Sequence, residues 1–150
     1  MSSDSYSSGE DSSEPYTIDE SNTDDSSSEE EVILDSKGRT IERIYRKNGL
    51  IHREYGPAVI KYAKKLHTKN EELYICSEQY YFKGKLHRTR GAAIIFFREP
   101  GGVSKKVYMR HGEIYIKGDK PAVIYYNKRG FPTKEEFFKA GRICMKKNIS

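Results

Sequence analysis

Histidine is the most versatile chemical group in this chain, and two of its four histidines occur in the same local sequence. His52 and His87 are each followed by arginine, and the two pairs lie 35 residues apart. Repetition on a regular element would place both imidazoles on one face, where they could share a metal ion. Because a zinc site needs three or four converging ligands, we expect instead that each imidazole bonds a carbonyl of a turn, with a shared metal as the alternative.

Other catalytic or cofactor-binding patterns are missing from the sequence. Cys76 and Cys144 have no neighbouring cysteine or histidine at ligand spacing, which disfavours a zinc site. Without a secretory signal, free thiols are favoured over the alternative of a single disulfide. No nucleophile elbow, zinc-protease motif or glycine-rich nucleotide fingerprint occurs. The sequence therefore predicts a protein that is not an enzyme and binds no cofactor or metal. An active site would require at least a pocket that joins His52, His87 and a carboxylate such as Glu54.

The two His-Arg pairs belong to an internal repeat, which defines the elements that position them. Residues 48–60 (NGLIHREYGPAVI) align with residues 83–95 (KGKLHRTRGAAII), and residues 111–124 (HGEIYIKGDKPAVI) form a partial third copy. The third copy has Tyr115 and Ile116 in place of His-Arg, and one extra residue before its proline. The residues predicted to form the turns and brace the copies are Gly49, His52, Arg53, Gly56, Pro57, Gly84, His87, Arg88, Gly91, Gly112 and Pro121.

Short strands at regular spacing predict an all-β fold, an antiparallel meander of tandem β-hairpin repeats. The glycines after Pro100 lie between strand-like segments and predict a hairpin turn. One short C-terminal helix is expected, because residues 133–136 (TKEE) match a capping box and Gly141 could end the helix. That helix would cover an open sheet edge. Residues 63–72 are predicted to form a loop between the first and second copies.

The repeat also resembles a known sequence family. An aromatic strand followed by N-G-x-x-H-R and G-P-A-V-I is similar to the NGxxHRxxGPA repeats found in tandem in proteins of large DNA viruses and phages, and more distantly to MORN repeats. Residues 49–60 match most closely, and the segment GFPTKEEF at 130–137 resembles the end of such arrays. The resemblance implies a β-hairpin array and a viral or phage setting, and it brings no catalytic site.

Charge divides the chain into two parts. The whole chain has a formal net charge of +5, yet residues 1–35 contain 12 acidic residues and no Lys or Arg, so residues 36–150 carry +17. Residues 1–31 hold too few large apolar groups to offset their chain entropy and are predicted to be a disordered acidic tail, followed by a basic β-repeat domain at 32–150. The tail is either solubilising or regulated by acidophilic kinases. Candidate phosphorylation sites are Ser21, Ser26, Ser27 and Ser28.

The charge pattern suggests two classes of partner. We expect a non-enzymatic repeat scaffold that binds an unknown protein partner. The alternative is a non-specific polyanion-binding protein, with nucleic acid or an anionic surface competing against intramolecular contact with the tail. The basic residues could also simply keep the sheet soluble. Without an apolar span or secretory signal, an intracellular location, host cytoplasm or virion, is expected. The candidate basic face comprises Arg46, Lys47, Lys83, Lys85, Arg90, Lys105, Lys106 and Arg110.

Overall fold

The computed structural model describes residues 28–99 and 101–149, and this part of the chain is all-β. Its strands are short because glycine and proline recur between the β-branched and aromatic segments. They are β1 (Glu29–Leu34), β2 (Thr40–Lys47), β3 (Leu50–Ile51), β4 (Val59–Lys64), β5 (Leu73–Gln79), β6 (Tyr81–Phe82), β7 (Lys85–Leu86), β8 (Ile94–Phe97), β9 (Val103–Val107), β10 (Met109–Arg110), β11 (Glu113–Ile114), β12 (Val123–Tyr126), β13 (Pro132–Lys139) and β14 (Arg142–Asn148).

Ten of these strands form one antiparallel sheet. Its order is β14-β13-β12-β9-β8-β5-β4-β2-β1, and the short β3 pairs with the end of β2. Strands β6 and β7, and likewise β10 and β11, form separate two-stranded hairpins. The predicted antiparallel meander is therefore confirmed, including the hairpin between β8 and β9 at the glycines after Pro100.

Four hairpin turns share one backbone conformation. They are Asn48-Gly49, Lys83-Gly84, His111-Gly112 and Ala140-Gly141, with φ of 51–54° at the first residue and 78–84° at the glycine. Positive φ at both central residues defines a type I′ turn, whose twist matches the flanking strands. The first three belong to the recognised copies. The fourth joins β13 to β14 in a further strand-turn-strand unit that the sequence pattern did not indicate.

Successive copies lie side by side and repeat their backbone bonds. The N–H of Gly84 donates to the carbonyl of Ile51, and the N–H of Gly112 donates to that of Leu86, each at 2.8 Å. The turn glycine of each later copy is thus bonded to the short strand of the copy before it. This stacking places equivalent residues of neighbouring copies next to one another.

The predicted C-terminal helix is wrong. Residues 132–139 form β13, and Glu136 of the supposed capping box is buried opposite Val123 of β12. Ala140-Gly141 turns the chain into β14 instead of ending a helix. A helix cap contributes about 1 kcal/mol, whereas pairing with the open edge of β12 satisfies a whole row of backbone groups. The strand edge therefore outweighs the local capping signal.

Two predicted boundaries move. Residues 29–31, assigned to the acidic tail, belong to β1, where Glu30 pairs with Arg43 at 2.6 Å. The predicted tail as far as residue 27 lies outside the described residues. The loop predicted at 63–72 is shorter by two residues, since β4 continues to residue 64 and pairs there with the start of β5.

The core is narrow and built from small side chains. Ala58, Ala93 and Ala122 occupy equivalent positions in the three copies and are fully buried. Each precedes the strand that pairs with the next copy, and the buried Val59 and Val123 follow in the first and third. Within the described ranges no large side chain is completely buried. Stability therefore depends on the same modest contacts made again in each copy.

Candidate functional site at the repeat junctions

Each histidine of the His-Arg pairs connects its own copy to the turn of the next. His52 Nδ1 accepts a hydrogen bond from the backbone N–H of Lys83 at 2.9 Å, and His87 Nδ1 accepts one from the N–H of His111 at 3.0 Å. A nitrogen that accepts must be unprotonated, so the bond selects the imidazole that carries its proton on Nε2. The sequence predicts instead that the imidazole bonds a turn carbonyl. At Nδ1 the bond runs in the other direction and reaches the next copy.

The rings of these residues form a row along the turns. His52 lies 4.8 Å from Phe82 between ring centroids, Phe82 lies 5.8 Å from His87, and His87 lies 4.3 Å from His111. His52 is 5% exposed, whereas His87 is half-buried. Partial burial, followed by the charges of His111 and Arg110, lowers the pKa of His87 below the usual histidine value. The neutral ring that the hydrogen bond requires is therefore also the favoured form.

The arginine of the first pair is held against its own copy. The Arg53 guanidinium lies over the Tyr45 ring at 3.9 Å, and its Nη1 donates to the carbonyl of Pro57 at 3.2 Å. Gly56 has a φ of 115°, and a Cβ there would lie 3.3 Å from Arg53 Nη1. Glycine is required both by its conformation and by the close approach of the guanidinium.

The second copy repeats this arrangement. Arg88 lies over Tyr80 at 3.8 Å and donates from Nη1 to the carbonyl of Ala92 at 3.2 Å. Gly91 has a φ of 130°, and a Cβ there would lie 3.0 Å from Arg88 Nη1. Arg53 and Arg88, with the glycines beside them, therefore have equivalent surroundings in the two copies, and both arginines bond backbone carbonyls.

The third copy makes an arginine–tyrosine stack from different positions. Tyr115 stands where the histidine stood, and Arg110, from the preceding strand, lies over its ring at 4.0 Å. Arg110 Nη2 donates to the carbonyl of Thr89 at 3.1 Å. Because position 116 is isoleucine, it supplies no guanidinium to Tyr108, the equivalent of Tyr45 and Tyr80. The sequence analysis missed this exchange, although Tyr115 in the histidine position was its signal.

A groove of about 620 Å³ lies between the first and second copies. Arg53, Arg88 and Arg90 contribute to its lining, together with Tyr55 and Phe82. Tyr55 is 76% exposed and Phe82 is 41% exposed. The groove thus combines fixed guanidinium groups with aromatic rings open to solvent.

The minimum catalytic grouping considered from the sequence is not gathered in this groove. Glu54 and His87 line it, whereas the buried His52 is not part of the lining. Across residues 28–99 and 101–149, no cluster of three or more His, Cys, Asp or Glu side chains is placed to hold a metal ion. Cys76 and Cys144 are free thiols.

A second, smaller cavity of about 290 Å³ lies between the second and third copies. Its lining contains four cationic residues, which are Arg88, Arg110, Lys117 and Lys120. Tyr108, Tyr115 and five other uncharged residues complete the lining. No carboxylate belongs to this lining as far as the structure describes the chain. This cavity, called the junction cavity below, is where the exchanged arginine and the longer loop of the third copy meet.

The residues of the candidate basic face do not share one surface. Lys105 and Lys106 are consecutive on β9 and therefore point to opposite faces of the sheet. Lys105 lies 5.1 Å from the Tyr125 ring, while Arg46 pairs with Glu31 at 3.2 Å. The others lie at or beside the hairpins, and these are Lys47, Lys83, Lys85, Arg90 and Arg110.

The candidate phosphorylation sites fall at the limit of the structure. Ser28 directly precedes β1, whereas Ser21, Ser26 and Ser27 lie outside the described residues. Any contact between residues 1–27 and the body lies outside them as well, whereas Glu30 and Glu31 at the end of the predicted tail pair with Arg43 and Arg46.

Comparison of the chain with protein-family models, with curated proteins and with solved structures found no match. The part of the chain that the structure describes contains no helix long and apolar enough to cross a membrane.

Proposed function

We propose that the protein is a non-enzymatic repeat scaffold that binds a polypeptide partner in the groove between its first and second copies. The carrying observation is Tyr55, 76% exposed at a groove that also holds Phe82 and three arginines. Tyrosine and arginine dominate the binding energy of protein interfaces, because they combine large contact area with directed hydrogen bonds. The resemblance to tandem viral repeats agrees with a scaffold, and a viral setting is part of this proposal.

The rigidity of the groove supports the same function. Arg53 and Arg88 are each fixed by a tyrosine ring and a backbone carbonyl, so little side-chain entropy remains to be lost when a partner binds. A guanidinium group has five N–H donors, and the bracing bond uses one of them. Donors therefore remain to meet a partner.

The charge of the groove suggests the kind of segment that would bind. Its lining holds three arginines and one carboxylate, Glu54. A partner segment with net negative charge would complement this excess, and an apolar side chain in it would cover Phe82 and Tyr55. We therefore expect an acidic peptide that contains at least one large apolar residue.

Selection from a displayed peptide library tests this function. Acidic peptides should be enriched, and Tyr55→Ala should weaken their binding at least 10-fold. The matched control is Phe131→Ala, which removes an aromatic ring of comparable exposure (58%) outside the groove lining and should leave the affinity unchanged. If no peptide is enriched, or if the two variants bind the selected peptides equally, the proposal fails.

The alternative, a non-specific polyanion-binding protein regulated by the acidic tail, has weaker support because the candidate basic residues do not share one surface. It predicts that deleting residues 1–27 raises the affinity for DNA at low salt. The deletion should end at residue 27, because residues 29–31 belong to β1. Equal affinity with and without the tail would exclude this alternative.

A further inference from the structure

We propose that the junction cavity binds a small, soluble anion that carries two or more phosphate groups. This site shares Arg88 and Thr89 with the lining of the peptide groove, but Arg110, Lys117 and Lys120 line the junction cavity alone, and the proposal does not depend on the function proposed for the groove. Arg88, Arg110, Lys117 and Lys120 surround one cavity without a carboxylate in its lining. Four like charges around a partly enclosed space focus a positive potential there, which an entering anion would relieve.

The cationic residues of the junction cavity differ from those near the start of the described chain. Arg39, Arg43 and Arg46 each form a salt bridge with a carboxylate, at 2.7, 2.6 and 3.2 Å. The four cations of the junction cavity form no ion pair within the described ranges. The acidic residues nearest in sequence, Glu113 and Asp119, are not in the lining. The positive charge of the four cations is therefore available to a ligand.

Both arginines of the junction cavity are fixed before any ligand arrives. Arg88 is held by Tyr80 and a backbone carbonyl, and Arg110 is held by Tyr115 and the carbonyl of Thr89. Arg110 Nε is buried and makes no hydrogen bond to any described residue. Preorganised guanidinium groups match phosphate oxygens in both charge and planar geometry, and they lower the entropic cost of binding.

The two lysines are a feature of the third copy alone. The backbone N–H of Lys120 donates to the carbonyl of Lys117 at 3.3 Å, so a tight turn carries both ammonium groups next to the cavity. The equivalent segments of the first and second copies contain Glu54-Tyr55 and Thr89-Arg90, without lysine. The segment before Pro121, one residue longer than its equivalents, therefore adds two exposed cations to two fixed ones.

The size of the cavity selects among anions. At about 290 Å³ it lies at the lower limit of the ~300–1,000 Å³ typical of small-ligand sites. A compact anion fits this volume better than a nucleic acid, which needs an extended groove along its backbone. Four cations favour two or more phosphate groups over a single carboxylate.

Titration of the full chain with pyrophosphate, followed by calorimetry, tests the site. We expect binding at one site per chain, and a loss of at least 10-fold in affinity in the double variant Lys117→Ala/Lys120→Ala. The matched control, Lys61→Ala/Lys69→Ala, removes the same charge from exposed positions outside the cavity and should change the affinity less than 2-fold. Arg110→Lys keeps the charge but removes the planar donors, and should cost an intermediate factor.

Several results would overturn the proposal. Pyrophosphate could fail to bind, or the two double variants could lose affinity equally, which would indicate diffuse attraction. Competition by phosphatidic acid vesicles, but not by phosphatidylcholine vesicles, would identify a lipid headgroup as the source of the phosphate and contradict a soluble ligand. The peptide groove is tested separately through Tyr55, so failure at one site leaves the other proposal intact.

Discussion

The two junctions between copies make the same imidazole bond in different surroundings. At the first junction His52 is buried against Phe82, and at the second the half-buried His87 lies against His111. In both, Nδ1 accepts from the first residue of the next turn. The difference shows that the surroundings of each histidine are supplied by the following copy. A repeated motif thus keeps its bond while its burial varies along the array.

The junctions also differ in how arginine is used. The first has a stacked arginine from the repeated His-Arg pair on each side, whereas the third copy contributes Arg110 from a strand and a longer loop with two lysines. This irregularity opens the junction cavity. The more regular junction offers a groove with exposed aromatic rings, and the irregular one concentrates charge.

Replacing Ala93 by leucine should have the largest effect, because this residue connects both junctions. It is fully buried, its N–H donates to the carbonyl of Val107, and its carbonyl accepts from the N–H of Tyr80. Three additional heavy atoms cannot fit without moving this backbone, so we expect a loss of about 3 kcal/mol in the free energy of unfolding. Urea denaturation measures it. The control Ala63→Leu, at a half-buried position, should lose less than half as much, and equal losses would contradict the argument.

Removing the imidazole should lower the free energy of unfolding more at the first junction than at the second. His52→Ala leaves the N–H of Lys83 without its acceptor in a part-buried bond and opens space at a buried position beside Phe82, which should cost about 3 kcal/mol. His87→Ala exposes the N–H of His111 to water and should cost about 1 kcal/mol. Asparagine can supply an acceptor close to the position of Nδ1, so His52→Asn should recover part of the loss. Equal costs at the two positions would contradict the role assigned to burial.

The arginine braces should behave alike in the first two copies. Arg53→Lys and Arg88→Lys each retain the charge but lose the planar stack on tyrosine and the bond to a carbonyl, which should cost about 1 kcal/mol each. Thermal denaturation of the two single variants compares them directly. If the two arginine variants differed in stability by as much as His52→Ala and His87→Ala are expected to differ, the two braces would not be equivalent.

Much of the fold follows from residues whose local chemistry and tertiary setting agree. Asn48-Gly49 favours a type I′ turn in isolation, and the same turn aligns the strands of the sheet. At residues 133–136 the two conflict: the capping box favours a helix, but the edge of β12 pairs with this segment. A sequence pattern read locally gives no measure of how strongly an unpaired neighbouring strand competes.

The junction site was less predictable, for a physical reason. The partner of each imidazole is a backbone N–H, from Lys83 for His52 and from His111 for His87. Any residue type except proline can supply it, so no side-chain signature marks the bond. The expectation that His52 and His87 hold equivalent positions needed only the period of the repeat. The direction of their bonds, and the copy that each one reaches, required coordinates.

The smallest expected effect is a dependence of stability on pH, and it concerns the second junction, where His87 is half-buried. Because the pKa of His87 is lowered in the folded protein, the unfolded chain binds more protons near pH 6.5, and acid weakens the fold. This contribution is fully present above about pH 6.5 and is lost as the pH falls through 6.5 toward the folded pKa. The groups that face His87 and lower its pKa are His111 and Arg110, after burial itself.

Urea denaturation between pH 7.5 and 5 gives the slope of the free energy of unfolding against pH. For His87 this slope corresponds to at most one proton. The carboxyl groups of Asp35 and Glu71, whose pKa values are held at about 2 chiefly by the backbone N–H of Arg39 and by Lys37, add to the slope only near pH 5, where the unfolded chain begins to protonate them, and they do so equally in the variant below. His87→Asn should reduce the slope, since asparagine accepts the same bond without titrating. An unchanged slope in that variant would show that the second junction is not the pH-sensitive one, and that its exposure does not set it apart from the first.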